Sequence, residues 1–135
     1  MNEYMHTVQY YETDKMGITH HSNYIRWMEE ARISYLDNIG FGFFKLEEDG
    51  IVSPVVSVNC VYKKTTTFGD IVSIAVGISE FKGVKLKLSY TMTNQTGELV
   101  CEGESVHCFL DKTGKPIKLK TQFPSFYEAL TTNCK

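Results

Sequence analysis

The stretch that decides the fold of this 135-residue chain is Tyr10–Arg32, which reads YYETDKMGITHHSNYIRWMEEAR. Its first half brings the titratable residues Glu12, Asp14, His20 and His21 together just before a strongly helical run. A helix N-terminus carries unpaired backbone N–H groups and the positive end of the helix dipole, so it stabilises negative charge. Titratable side chains beside such a helix start predict a site at which an anion develops, and this favours catalysis.

The second half of this stretch and the residues after it have the period of an amphipathic helix from Ser22 to about Asn38. The side chains that share its apolar face are Tyr24, Trp27, Met28, Ala31, Tyr35 and Ile39. Ser22 or Asn23 is expected to cap the start, and Gly40 lies where a helix terminator belongs. We therefore expect one long helix whose apolar face packs against the rest of the fold.

Most of the remaining sequence alternates between apolar and polar residues with the period of a half-buried strand. A first strand is expected at 3–11, a loop at 12–21 and a second loop at GFGFF, 40–44. The later alternating segments lie near 56–62, 72–78, 84–92 and 98–110. Turn sequences at 68–70, 82–83 and 94–97 predict hairpins and hence an antiparallel sheet. One long helix with about five antiparallel strands is an α+β fold.

Composition places the chain among ordinary globular proteins, with 42% hydrophobic and 22% charged residues. The length suits a single domain over residues 1–135. A formal net charge of −2 gives no support to a nucleic acid or an anionic membrane as the main partner. No apolar run reaches bilayer length, no secretory signal pattern is present, and the four cysteines lack zinc-type spacing. We expect a cytoplasmic protein.

The motif around the helix start resembles the hotdog-fold acyl-CoA thioesterases, specifically the 4-hydroxybenzoyl-CoA thioesterase-like group. The residues that match the pattern of that group in register are Glu12-Thr13-Asp14, Gly17-Ile18, His21, Tyr24, Trp27, Glu29, Ala31 and Arg32. The resemblance implies a hotdog fold, in which a curved antiparallel sheet wraps a long central helix. Such sheets usually join edge to edge, so it also implies a homodimer or homotetramer.

The resemblance also assigns roles to individual residues. Asp14 matches the catalytic carboxylate, which acts as a nucleophile or as a general base for water. The backbone N–H of His21 matches the donor that polarises the thioester carbonyl, in agreement with the helix-start argument. The residues expected to bind substrate are Tyr24, Asn59, Lys63, Lys82 and Lys85. Exposed lysines on strand edges also discourage sheet-to-sheet pairing, so the lysines have this structural alternative.

Other polar residues have structural interpretations. Metal binding by His20 and His21 with Asp14 is disfavoured, because adjacent histidines diverge in a loop and no third ligand is evident. No metal or other cofactor is expected. Glu29 and Arg32 are one helical turn apart, which favours a buried or subunit-interface ion pair. His6 and His107 are expected to be structural.

The sequence therefore predicts an enzyme that hydrolyses an acyl- or aroyl-CoA thioester to the free acid and coenzyme A. Two alternatives remain, a hotdog enoyl-CoA hydratase or dehydratase and a non-catalytic module that binds acyl-CoA. The acyl chain length, an aromatic preference, the pathway, the choice between dimer and tetramer, and the choice between the two roles of Asp14 stay open.

Overall fold

The computed structural model describes residues 2–134 as one five-stranded antiparallel sheet with one long helix and three short ones. The strands are β1 Asn2–Thr7, β2 Val55–Tyr62, β3 Ile71–Phe81, β4 Leu86–Thr93 and β5 Leu99–His107. The helices are α1 Ser22–Asn38, α2 Phe43–Glu48, α3 Leu119–Gln122 and α4 Pro124–Thr132. The predicted α+β hotdog fold is confirmed, and α1 has the predicted bounds. None of the helices within the described residues is long and apolar enough to cross a membrane.

The sheet has the strand order β1–β3–β4–β5–β2, and each neighbouring pair is antiparallel. The predicted hairpins at 82–83 and 94–97 join β3 to β4 and β4 to β5. The hairpin predicted at 68–70 is wrong, because β2 pairs with β5 at the far edge of the sheet. The turn instead packs on the end of β1, where Val8 N–H donates to Asp70 O at 2.8 Å and Gly69 N–H donates to Val8 O at 3.0 Å.

The core lies between α1 and one face of the sheet. Trp27, Met28 and Ala31 of α1 are fully buried there, as the helical period predicts. The sheet residues that face them include Val72, Ile74, Val76 and Ile78 of β3, and Leu86, Leu88, Tyr90 and Met92 of β4. Because burying one large aliphatic side chain contributes about 1.5–3 kcal/mol, this layer is the main source of stability.

Two predicted segment assignments are wrong. The first strand ends at Thr7, and Tyr10–Glu12 forms a single 3₁₀ turn that directs Glu12 into the protein interior. The segment predicted as a GFGFF loop instead runs into α2, which buries Leu46. A helix of six residues is too short for its period to be read from sequence.

The edge strand β2 does not have the buried face that its alternation predicts. Val55, Val56, Val58 and Val61 are between 39% and 52% exposed. The inward-facing Cys60 is half-buried, with its Sγ 3.4 Å from Met28 Sδ. Because β2 lies at the edge of the sheet, α1 covers only part of it, and one backbone edge and both faces stay exposed within the described residues.

Candidate active site

The loop that carries Asp14 is anchored by its buried neighbour Glu12. The Glu12 carboxylate accepts hydrogen bonds of 2.8 Å from the Gln9 N–H, His6 Nε2 and Trp27 Nε1. Burial on its own raises the pKa of Glu12, but the three hydrogen bonds to the charged form outweigh it and hold the pKa below the ordinary 4.5. The sequence placed Glu12 in the motif without predicting this contact with the helix.

The backbone of the loop closes on itself. The His20 N–H donates to Glu12 O at 2.8 Å, so the two ends of the loop lie side by side. Between them, the Asp14 N–H donates to Ile18 O and the Gly17 N–H donates to Asp14 O, both at 2.9 Å. Gly17 has φ +80°, a left-handed conformation that side chains disfavour, so glycine at this position allows the tight turn.

One oxygen of the Asp14 carboxylate accepts a hydrogen bond from the protein, and the other, which we call the open oxygen, does not within the described residues. Oδ1 accepts a 2.8 Å hydrogen bond from the Met16 N–H, which sets the orientation of the half-buried side chain. Oδ2 has no hydrogen-bond partner among residues 2–134. A carboxylate held in this way can approach a carbonyl carbon or a water molecule without breaking a bond to the protein.

The backbone N–H of His21 lies at the start of α1 and donates to no acceptor within the described part of the chain. The prediction that Ser22 or Asn23 caps the helix is wrong, since His21 occupies the cap position and its side chain makes no capping bond. The His20 ring caps the helix instead, because its Nδ1 accepts a hydrogen bond from the Ser22 N–H at 3.3 Å. The His21 N–H therefore remains available for an external acceptor at the positive end of the helix dipole.

Asp14 borders two clefts. The first, which we call the apolar cleft, has a volume of about 310 Å³. Residues that line it include Met16, Ile18, His21, Tyr24 and Tyr62. The second, the polar cleft, has a volume of about 470 Å³. Residues that line it include Tyr11, His20, Asn23, Arg26 and Glu30. Asp14 and His21 share the apolar cleft, so a group bound there can contact both.

Two tyrosines form one wall of the apolar cleft. Tyr24 is buried, and its hydroxyl bonds to Thr66 Oγ1 at 2.9 Å, so the ring rather than the hydroxyl is available to a ligand. The Tyr62 ring lies 5.1 Å from it, edge to face, and the Tyr62 hydroxyl donates to His21 O at 3.2 Å. Burial, together with the nearby Cys60 thiol, raises the pKa of Tyr62 to about 12, which keeps this donor protonated.

Tyr62 is a site residue that the sequence interpretation missed. It is the last residue of β2, and its place on the same strand face as Cys60 is the one signal the sequence carries. The contact with His21 depends on the pairing of β2 with β5, which places Tyr62 opposite Cys101. No local pattern encodes that pairing.

The predicted substrate-binding residues fall into two groups. Tyr24 and Lys63 line the apolar cleft, and Lys64 lies beside them. Lys63 Nζ is 3.9 Å from Glu102, and Lys64 forms an ion pair with Glu98. Both lysine side chains are about half exposed, so these pairs leave them able to reach an anionic ligand.

The other three predicted residues lie away from Asp14 within one chain. Lys82 and Lys85 flank the β3–β4 hairpin, whereas the Asp14 loop contacts the segment before the opposite end of β3. Eleven strand residues span about 35 Å, so the hairpin is remote from Asp14. Asn59 lies opposite Glu104, on the sheet face away from α1, because its neighbour Cys60 faces Met28. Lys82, Lys85 and Asn59 therefore do not line the apolar cleft of the same chain, and their role in substrate binding stays a prediction.

The ion pair between Glu29 and Arg32 is long, and its Glu29 side is more exposed than a buried pair would be. Glu29 Oε2 lies 3.9 Å from Arg32 Nη2, and the Glu29 side chain is 66% exposed while that of Arg32 is 16% exposed. Both residues border a third cleft, of about 420 Å³, between α1 and α2. Residues 2–134 contain no cluster of three His, Cys, Asp or Glu side chains that could hold a metal ion.

Comparisons with known proteins identify the family of this chain. The family model described as "Thioesterase-like superfamily" matches residues 8–130. The protein named "Putative acyl-CoA thioesterase YneP" from Bacillus subtilis is 37% identical over 123 residues, which cover 90% of this chain and 89% of that protein.

Solved structures of thioesterases are also similar to this chain. The DHNA-CoA thioesterase from Staphylococcus aureus has a TM-score of 0.93 and 32% identity, over 97% of this chain and 89% of its own. The gentisyl-coenzyme A thioesterase BH1999 has a TM-score of 0.83 and 28% identity, over 95% and 98% of the two chains. The family model spans the Asp14 loop, α1 and strands β2 to β5, and the chain belongs to the thioesterase-like superfamily.

Proposed function

We propose that this protein hydrolyses an acyl-CoA or aroyl-CoA thioester to the free acid and coenzyme A. The observation that carries the proposal is the open Oδ2 of Asp14 in the same cleft as the unpaired His21 N–H. The similarity to proteins named as acyl-CoA, DHNA-CoA and gentisyl-CoA thioesterases supports it. We also propose that the chain acts as a single domain, because its buried apolar residues form one cluster.

In this proposal the thioester carbonyl oxygen accepts a hydrogen bond from the His21 N–H. Negative charge that develops on this oxygen is stabilised by the N–H and by the helix dipole. Asp14 then acts in one of two ways. It attacks the carbonyl carbon and expels the coenzyme A thiolate, leaving an anhydride that water cleaves, or it takes a proton from the water that attacks directly. In both cases one water molecule is consumed, the Asp14 carboxylate is regenerated, and the thiolate leaves as free coenzyme A once it takes a proton.

We propose that the acyl group lies in the apolar cleft, against the rings of Tyr24 and Tyr62. These aromatic walls accept a flat aroyl group or a short acyl chain. Lys63 is the predicted substrate-binding lysine closest to this position, and we assign it to the phosphates of coenzyme A. Lys82, Lys85 and Asn59 keep a binding role in this proposal only where a second subunit brings them to the cleft.

The exposed edge strand β2 supports a homodimer, or a tetramer of two dimers. A strand with unpaired backbone groups and exposed valines on both faces favours pairing with a second copy of itself. We also propose a cytoplasmic location, because the thiols of Cys60, Cys101 and Cys108 form no disulfide, which suits a reducing compartment.

The decisive experiment is thioester hydrolysis by wild type and by Asp14→Asn, measured across aromatic and straight-chain acyl-CoAs. The amide keeps the shape of the carboxylate but is neither a nucleophile nor a base, so we expect kcat to fall by at least about 100-fold. Asp37→Asn, an exposed aspartate on α1, serves as the matched control. Unchanged turnover in a folded Asp14→Asn protein would contradict the assignment.

The same assay distinguishes the two alternatives. Hydration of an enoyl-CoA without release of free coenzyme A would indicate a hydratase. Tight acyl-CoA binding without turnover, unaffected by Asp14→Asn, would indicate a binding module.

A further inference from the structure

A buried threonine between β2 and β3 contacts both sides of the candidate site. Thr66 is 1% exposed, and its carbonyl oxygen accepts the Thr19 N–H at 2.9 Å and the Thr19 hydroxyl at 3.2 Å. Its own Oγ1 lies 2.6 Å from Thr19 Oγ1 and 2.9 Å from the Tyr24 hydroxyl. No motif singled out Thr66, because it lies more than forty residues along the chain from both partners.

The direction of each hydrogen bond follows from the number of protons. Each hydroxyl carries one proton, and burial raises the pKa of Tyr24, so its hydroxyl stays protonated. The Thr19 hydroxyl donates to Thr66 O. The Thr66 hydroxyl therefore donates to Thr19 Oγ1, and the Tyr24 hydroxyl donates to Thr66 Oγ1. This chain satisfies all three protons, so the Thr66 hydroxyl has a partner on each side.

The two partners of Thr66 belong to the two halves of the candidate site. Thr19 ends the loop that carries Asp14, and Tyr24 lies in the first turn of α1, which presents the His21 N–H. A single oxygen atom, Thr66 Oγ1, thus joins the loop to the helix. The next residue, Thr67, contacts the same loop through its exposed Oγ1, which donates to Gly17 O at 2.7 Å.

We propose that Thr66 is a positioning residue for thioester hydrolysis, setting the spacing between the Asp14 carboxylate and the His21 N–H through Thr19 and Tyr24. The inference rests on the proposed function. Thr66 is buried and does not touch substrate, so its hydroxyl affects the reaction step rather than binding. Displacement of a reacting group by about 1 Å costs roughly 100-fold in rate, so a small shift of the loop is measurable.

The test compares Thr66→Val and Thr66→Ser with the wild type. Valine keeps the shape and removes the hydroxyl, whereas serine keeps the hydroxyl and removes a methyl group. We expect Thr66→Val to lower kcat by roughly 10- to 100-fold with KM within about threefold of wild type, and Thr66→Ser to retain kcat within about threefold. Thr91→Val, exposed on the sheet face away from α1, is the control for a threonine-to-valine change.

Three outcomes overturn the proposal. These are a Thr66→Val kcat within threefold of wild type, a Thr66→Ser enzyme as slow as Thr66→Val, and a loss confined to KM. All assays run well below the melting midpoint of each variant, so that unfolding does not enter the rates. If Thr66→Val does not fold, Thr19→Val removes the other end of the same bond and keeps its backbone contact, and the same limits on kcat and KM apply.

A double-mutant comparison identifies the path of the effect. If Thr66 acts through Thr19, the kcat of Thr66→Val/Thr19→Val equals that of the slower single variant, and multiplicative losses overturn that path. Absence of wild-type turnover would contradict the proposed function and this inference together. Wild-type turnover that is lost in Asp14→Asn but kept in Thr66→Val would contradict this inference alone.

Discussion

At the scale of single residues, His107 is a buried ionisable group that the proposed reaction does not use. Its Nε2 bonds to Ser105 Oγ at 2.7 Å, and Ser105 bonds to the Tyr90 hydroxyl at 2.6 Å. The Nδ1 atom is buried without a hydrogen-bond partner in the described residues. Burial, followed by the nearby positive charge of Arg32, lowers the pKa of His107 from 6.5 to about 4. The expectation that His107 is structural agrees with this position in the core.

This pKa predicts how stability depends on pH. In the unfolded chain the imidazole binds a proton below pH 6.5, whereas in the folded chain it does so only below about pH 4. The unfolded state therefore gains protons first, and the free energy of unfolding falls as pH drops from 6.5 to 4, by about 3 kcal/mol in total.

Urea unfolding of wild type and His107→Asn at several pH values measures this slope. The variant should be less stable at pH 7 and should lose most of the pH dependence between 6.5 and 4. His20→Asn, which replaces an exposed histidine, is the control and should keep the wild-type slope. An equal slope in wild type and His107→Asn would refute the prediction.

At the scale of elements, a polar cluster joins β1 to α1. The His6 ring lies 4.7 Å from the Trp27 ring, and its two nitrogens lie 2.8 Å from Glu12 and 3.4 Å from Glu30. The Tyr4 hydroxyl also donates to Glu30 at 2.8 Å. This cluster fixes the helix against the first strand at the point where the Asp14 loop begins.

The variant Glu12→Gln tests how much this polar cluster contributes to the stability of the fold. The amide loses the charge-assisted bonds from His6 and Trp27, so we expect the free energy of unfolding at pH 7 to fall by about 2 kcal/mol. The folded pKa of Glu12 is below 4.5, so its contribution is present above pH 4.5 and is lost as pH falls through the folded pKa.

The variant should therefore show a weaker loss of stability at acid pH than the wild type. Urea unfolding at pH 7 and near pH 3 checks both effects, with the exposed Glu128→Gln as control. A Glu12→Gln protein as stable as wild type at both pH values would show that this cluster does not stabilise the packing of α1 against β1.

At the scale of the whole molecule, the proposed homodimer would form through the exposed edge strand β2. Val58 and Val61 point to opposite faces of β2 and are 39% and 52% exposed. If β2 pairs with its counterpart in a second subunit, a charged residue on this strand repeats across the symmetry axis. We expect Val58→Lys to weaken the dimer at least about tenfold, because like charges and a buried ammonium group oppose pairing.

Sedimentation velocity over a range of protein concentrations measures this association. Val84→Lys, a valine 68% exposed in the β3–β4 hairpin, is the matched control and should remain dimeric. A wild-type protein that stays monomeric at high micromolar concentration would refute the dimer, and an unchanged Val58→Lys dimer would place the interface elsewhere.

The features predicted correctly are those encoded by neighbouring residues. The apolar period from Ser22 to Asn38 gave the bounds of α1, and strict alternation gave the buried faces of β3 and β4. The motif from Glu12 to His21 indicated the loop and the helix start. The missed features are contacts between distant segments, such as Thr66 with Tyr24 and Tyr62 with His21.

The sequence by itself thus determined the α+β class and the long helix, and its resemblance to a known family supplied the candidate catalytic groups. Only the tertiary structure decided the pairing of β2 with β5, the open oxygen of Asp14 and the remoteness of Lys82 and Lys85. The physical reason is that helix and strand periods come from local backbone geometry, whereas strand order depends on which distant apolar faces bury each other. Local patterns limit the possible strand orders but do not select one of them.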